Sequence, residues 1–238
     1  MLKQRKVYRA TMSRIPQPSD STGSLWCIQR AVNDHPQILE TAIAAQLPHL
    51  GPIDWVSPLR QDNYAEYRDQ DFLLQLRLDP ATSPVPLSRF WPSRGPQWDA
   101  LGRTPRNQVV LIEAKANIPE LLSPPCQASP TSARLIKRSL GKTQQAFKAR
   151  PGCDWSIRFY QYANRLAHLF YLWRLCHVDA YLVFVYFLNA PGVVSPTSAA
   201  EWRAAIEVLH EALGIRGRVP RGRVVDVFLD AAELAVIA

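Results

Sequence analysis

Nine consecutive residues, Ala180–Leu188 (Ala-Tyr-Leu-Val-Phe-Val-Tyr-Phe-Leu), carry neither a charge nor an alternation of polar with apolar side chains. A segment of this length, dominated by aromatic and β-branched residues, suits a strand covered on both faces, and such strands sit in the middle of sheets flanked by helices. Spanning a bilayer takes about 20 apolar residues, so this run is far too short for that. Arg174, His177 and Asp179 interrupt the apolar region just before it. The run therefore points to an α/β architecture.

The segments around it supply the helices. Residues 25–47 have helical spacing, with Ile38, Ala42 and Ala45 on one face. Asp62 reads as an N-cap opening a helix over residues 63–78, where Tyr64, Tyr67, Phe72 and Leu76 carry the apolar spacing. In residues 133–149, Ile136, Leu140 and Phe147 share one face, and Arg134, Lys137, Arg138, Lys142 and Lys148 occupy the other. Residues 155–176 form a long helix that is apolar on nearly every side, except for a stripe of Arg158, Gln161, Asn164, Arg165 and His168. A helix over 199–213 and a strand over 224–229 complete the pattern. The expected fold is α/β, a mixed β-sheet with helices on both faces, formed as one domain over residues 25–238 behind a basic, flexible arm at 1–24.

The sharpest chemical signal is Trp98-Asp99-Ala100-Leu101-Gly102 followed by Val109-Val110-Leu111-Ile112-Glu113-Ala114-Lys115. It reads as an acidic residue on one strand, a tight turn, and a second strand ending in Glu-x-Lys. Strand side chains alternate faces, so Glu113 and Lys115 project together while Ala114 points away. Hydrolysis of a phosphodiester needs a cation to polarise the phosphoryl oxygen, help ionise the attacking water and stabilise the leaving oxygen. Mg²⁺ uses one or two carboxylates plus waters and substrate phosphate. Asp99 and Glu113 can supply those carboxylates, the Ala114 carbonyl a third oxygen, and Lys115 can assist water attack or stabilise the developing charge. A Glu-x-Lys triplet alone is common as a solvent-facing ion pair. Its place at the end of an apolar strand, after an aspartate and before a basic helix, sets this one apart.

Asp99, Glu113-Ala114-Lys115 and their helix–strand–strand–helix setting resemble the PD-(D/E)xK nuclease superfamily, the restriction-endonuclease-like fold. Phe90-Trp91-Pro92-Ser93-Arg94-Gly95-Pro96-Gln97-Trp98-Asp99-Ala100-Leu101-Gly102, with Tyr160-Gln161-Tyr162-Ala163-Asn164-Arg165-Leu166-Ala167, is similar to a bacterial branch of it. Trp98 stands where the motif's name places a proline, a position frequently replaced in the superfamily. The resemblance covers residues 62–188. It implies a metal-dependent nuclease using Mg²⁺, with Mn²⁺ able to substitute, and DNA favoured over RNA as substrate. It also implies a glutamate on the helix before the core strands, for which Glu66 is the choice and Glu40 the competitor. A glutamine after the Glu-x-Lys strand corresponds loosely to Gln161.

Formal net charge is +8, which favours an anionic partner. Arg134, Lys137, Arg138 and Lys142, together with Asn164 and Arg165, are the candidate nucleic-acid contacts. Arg216, Arg218, Arg221 and Arg223 form another acid-free cluster. Trp91 and Trp98 read as core, and His168 as structural. The four cysteines (Cys27, Cys126, Cys153, Cys176) show no metal-binding spacing and fit reduced thiols in a cytoplasmic protein. No membrane association is expected, and a homodimer is compatible with the sequence. The competing reading is a non-cleaving nucleic-acid-binding module of the same fold. A third, an enzyme for small phosphorylated substrates, lacks any glycine-rich phosphate loop.

Overall fold

The computed structural model describes residues 13–195 and 197–235. Its centre is a five-stranded mixed sheet in the order β2-β4-β5-β6-β7. The strands are β2 (Asp54–Ser57), β4 (Ala100–Arg103), β5 (Val109–Lys115), β6 (Ala180–Leu188) and β7 (Val224–Asp230). β2, β4 and β5 run antiparallel, whereas β5, β6 and β7 are parallel. β5 is thus the strand at which the pairing changes from hairpin to crossover, and it needs helices on both faces.

Alternation along β5 and β6 builds two cores. Val109 and Leu111, with Ala180, Leu182, Phe184 and Tyr186, face one layer of helices. That layer contains α3 (Asp69–Gln75), α4 (Leu87–Phe90), α5 (Pro130–Ala146), α6 (Tyr160–Phe170) and α7 (Ala199–Ala212). Val110, Ile112 and Ala114, with Tyr181, Val183, Val185 and Phe187, face α1 (Gly23–Asn33) and α2 (Pro36–Gln46). Every residue of β5 is buried, so the Glu113 and Lys115 side chains continue the Val109–Leu111 row into the larger helical layer.

Several elements differ from the sequence expectation for identifiable reasons. The helix expected over 25–47 is two helices, because Pro36 occupies the first turn of α2 and drives His35 out of helical geometry (φ −132°, ψ 46°). The helix expected from Asn63 is absent there. Asn63 and Tyr64 both sit in the left-handed region (φ 53° and 48°), which no right-handed helix passes through. Glu66 accordingly lies on a two-residue strand, β3 (Glu66–Tyr67), paired antiparallel with β1 (Arg14–Ile15). The apolar spacing nonetheless marks real core, since Phe72, Leu73 and Leu76 are buried. The long helix expected from residue 155 begins only at Tyr160, after Phe159 at φ 54°, and ends in a π-helical turn, Tyr171–Leu175. Strand β2, which the sequence pattern did not reveal, closes the sheet edge against β4. Gly102 permits that approach: a Cβ there would collide with the Ile53 side chain and lie 3.2 Å from the Trp55 ring.

From Ser13 onward the expected arm is packed against the domain. Arg14 donates to the Asp62 carboxylate (3.0 Å through Nε) as well as pairing in the strand. Lys3, Arg5, Lys6 and Arg9 lie outside the described residues. All four cysteines are free thiols. Among the described residues no helix is long and apolar enough to cross a membrane.

Candidate active site

The β4–β5 hairpin sets up the site. Its register pairs Arg103 with Val109 and Ala100 with Ile112, and carrying that register one residue further sets Asp99 opposite Glu113. Asp99 therefore stands immediately before β4 rather than within it. One of its oxygens, Oδ2, accepts the Ala114 amide at 2.6 Å, which fixes the carboxylate against the end of β5. A strand residue directs its N–H and C=O toward the same neighbour. The Ala114 carbonyl thus faces the flank where β4 has ended and Asp99 begins.

Glu113 is almost wholly buried (1% exposed), and both of its oxygens are engaged. Lys115 Nζ donates to Oε1 at 2.5 Å, and Arg165 Nε of α6 donates to Oε2. Burial pushes the Glu113 carboxyl upward, but the charges of Arg165 and Lys115 outweigh it and hold it below the usual carboxylate range. Burial pulls Lys115 down, but Glu113 and Asp99 more than restore it, so its ammonium is held above the ordinary value.

Two further carboxyl groups behave differently. Burial, with Glu113 close by, pushes Asp99 up to about 7. Burial likewise pushes Glu66 up to about 8, with Asp99 and Glu113 adding to the rise. Glu66 Oε2 accepts from Gln17 Nε2 at 3.1 Å and from Gln97 Nε2. These amides are neutral, so they satisfy the oxygen without supplying a countercharge. The result is three crowded carboxyl groups served by two cations, Lys115 and Arg165.

Of the two competing glutamates, the structure brings Glu66 to the cluster. Glu40 lies on α2, in the layer across the sheet, where it accepts from Trp55 Nε1 at 3.1 Å. Arg165, expected to contact nucleic acid, is 3% exposed and turned inward. Besides Glu113 it bonds the Gln97 carbonyl (2.7 Å) and Asn164 Oδ1 (2.9 Å), and its guanidinium lies over the Trp98 ring at 4.9 Å. Asn164 is buried with it, so both act inside the protein. Gln161 is one turn earlier on α6. Its amide N–H donates to Ser123 Oγ at 2.9 Å, and its side chain has no hydrogen-bond partner among the described residues. Arg134, Lys137, Arg138 and Lys142 are exposed on α5, as their helical spacing predicts.

Sequence reasoning missed Gln17 and Gln97. Gln97 adjoins the motif and could have been found there; Gln17 is legible only once β1 is seen to pair with β3. His168 is structural as expected, enclosed by Phe72, Phe90, Trp91 and Trp98. Burial drives its imidazole down to about 3 and so keeps it neutral.

The donor chemistry fits a hard divalent cation, because the carboxylates of Asp99 and Glu113 with the Ala114 carbonyl supply oxygen only. Among the described residues no group of three or more His, Cys, Asp and Glu side chains is placed to hold a metal ion by itself. Mg²⁺ does not require one, because it completes its shell with water and substrate phosphate. Comparison of the chain with protein-family models, curated proteins and solved structures gives no match, so its assignment rests on these residues.

Proposed function

We propose that this protein is a metal-dependent nuclease of the PD-(D/E)xK type, hydrolysing phosphodiester bonds in DNA in preference to RNA. The observation that carries the reading is the facing of Asp99 and Glu113 across the β4–β5 hairpin, with Lys115 beside them. The strand order supports it: an antiparallel hairpin bearing the acidic residues continues through helices into a parallel strand, the arrangement the sequence resemblance implies.

Asp99 and Glu113, with the Ala114 carbonyl, would hold Mg²⁺ or Mn²⁺. The ion supplies polarisation of the phosphoryl oxygen and charge stabilisation at the leaving oxygen. Lys115, its ammonium secured by two carboxylates, presents a fixed positive charge where negative charge develops. Glu66, a carboxyl that retains its proton to about pH 8, can exchange a proton at the rim of the cluster. Arg165, itself held by Asn164 Oδ1, braces Glu113 and the Gln97 backbone and keeps the reactive groups in place. Gln161 has an uncommitted amide one turn away.

One observation favours the non-cleaving module: both Glu113 oxygens are already occupied by Lys115 and Arg165. Incubating supercoiled DNA, linear DNA and RNA with the protein, with and without Mn²⁺, separates the two readings. The nuclease reading expects Mn²⁺-dependent cleavage that Asp99→Ala and Lys115→Ala abolish. Cleavage persisting undiminished in both variants would sink the site assignment, and binding without any cleavage would establish the module.

A further inference from the structure

At the opposite ends of the parallel strands, away from Glu113 and Lys115, lies a shallow cleft in which guanidiniums surround an aromatic ring. The π-helical turn at the end of α6 brings Trp173 and Arg174 to the surface, Trp173 half-buried and Arg174 exposed. A π-turn adds a residue to the helical repeat, so the side chains on it leave the apolar register of the helix before it. The Arg174 guanidinium lies over the Trp173 ring at 3.8 Å, and Arg223 approaches the same ring at 5.4 Å. Arg223 also lies 4.5 Å from the Tyr181 ring, whose hydroxyl meets His49 Nε2 at 3.0 Å. Together Trp173, Arg174, His177, Val178, Asp179 and Arg223 line a cleft of about 340 Å³.

The charges here are unevenly satisfied. Asp179 is the cleft's carboxylate, and it is occupied by Arg223 and by Gln108 Nε2 at 2.9 Å. Arg174 has no hydrogen bond or ion pair among the described residues; its contact is the indole. Arg221, two residues before Arg223, is exposed and equally unpaired among them. The neighbouring Arg218 bonds the Lys148 carbonyl, joining this loop to the end of the basic face of α5.

We propose that this cleft grips single-stranded nucleic acid, an unpaired base taking the Trp173 face that Arg174 covers in the free protein, and the flanking phosphates pairing with the displaced Arg174 and with Arg223. A planar apolar ring set among guanidiniums is the arrangement that serves both halves of a nucleotide: every base offers a π-face, and every linkage offers a negative charge. An acidic peptide would use the guanidiniums and leave the indole idle. A base-paired duplex keeps its bases stacked inside and would reach only the phosphates. The proposal rests on the reading of this chain as acting on nucleic acid, but not on its cleaving it.

The test is binding measured without metal, so that cleavage plays no part. Fluorescence anisotropy of labelled single-stranded DNA, single-stranded RNA and duplex DNA, each of about 16 nucleotides per strand, is compared for wild type, Trp173→Ala, Trp173→Phe and Arg174→Glu. Trp173→Ala is expected to weaken single-strand binding by roughly tenfold or more, Trp173→Phe by less, and duplex binding little. Arg174→Glu lowers the slope of log affinity against log salt by about 0.7 for each phosphate that is no longer neutralised. The relative affinity for DNA and RNA identifies which strand the cleft takes. Unchanged single-strand affinity in Trp173→Ala overturns the proposal. So does a wild type that binds no oligonucleotide, or a Trp173-dependent affinity found only for phosphatidylserine vesicles or polyglutamate. Equal loss in Trp173→Phe and Trp173→Ala, with a lowered melting temperature in both, overturns it too, since packing rather than stacking is then responsible. Single-strand binding that depends on Trp173 in a protein that never cleaves upholds the cleft and defeats the nuclease reading separately.

Discussion

Arg165 crosses from α6 to pair with Glu113 where both side chains are all but excluded from water, 3% and 1% exposed. Lys115 meets the same carboxylate from its own strand. Two cations on one buried anion form a strongly coupled unit, and the geometry of β5 depends on its completeness.

Removal of one partner therefore exposes the cost of the charge that remains. Arg165→Met is expected to destabilise the protein by about 3–5 kcal/mol, the usual cost of breaking a buried ion pair. Arg165→Lys restores part of it, because the guanidinium's further bonds to Gln97 and Asn164 are not reproduced. Urea denaturation measures both; an Arg165→Met variant as stable as wild type would refute the coupling.

The two candidate glutamates separate by position. Glu66→Gln is expected to reduce Mn²⁺-dependent cleavage by about tenfold to a hundredfold, as loss of a supporting carboxylate commonly does. Glu40→Gln, across the sheet and bonded to Trp55, should leave the rate within about twofold and cost at most about 1 kcal/mol of stability. Initial rates on one DNA substrate decide the matter, and the reverse ranking would place the site on the wrong face.

Stability should respond to pH with opposite signs from two sources. Glu66 and Asp99 hold protons to about pH 8 and 7 in the fold, against ordinary values of 4.5 and 3.8. The unfolded chain loses those protons first, so their contribution is full below about pH 4 and is lost as pH rises through 7 and 8. His168, driven down to about 3 from 6.5, contributes stability that is present above pH 6.5 and is lost as pH falls toward 3. A divalent cation replaces the protons on the carboxylates. Mn²⁺ should therefore raise the melting temperature more at about pH 8.5 than at about pH 6, releasing protons as it binds, and EDTA should reverse the gain. A Mn²⁺ shift independent of pH would remove these carboxylates from the metal site.

Gly102 bears on the sheet edge. Gly102→Ala forces a methyl group into Ile53 and against Trp55, and is expected to cost about 1–3 kcal/mol. Shortening Ile53 to alanine in the same chain should make the added methyl less costly than it is alone. Thermal melts of the four proteins in the cycle provide the measurement, and simple additivity would show that the clash is relieved elsewhere.

The central strands and the Glu-x-Lys pair were legible in the sequence because burial on both faces imposes an unbroken apolar run, and because alternation fixes which side chains share a face. What was hidden depends on partners distant along the chain. Glu66 reaches the cluster through a two-residue strand, too short to carry any period, and Asn63 and Tyr64 adopt left-handed geometry that their apolar spacing conceals. Arg165 looked like a surface cation on a polar stripe. Its inward role depends on Glu113 waiting unneutralised beneath it. Trp98 shows the same dependence, for its ring becomes the floor under that guanidinium.

Gln17, Glu66, Gln97, Asp99, Glu113 and Arg165 are brought to one place from across most of the chain. Lys115 accompanies Glu113 on its own strand, but Arg165, the second cation, follows 52 residues later and reaches the carboxylate only through the packing of α6. The cluster is complete only once α6 has docked against the end of β5.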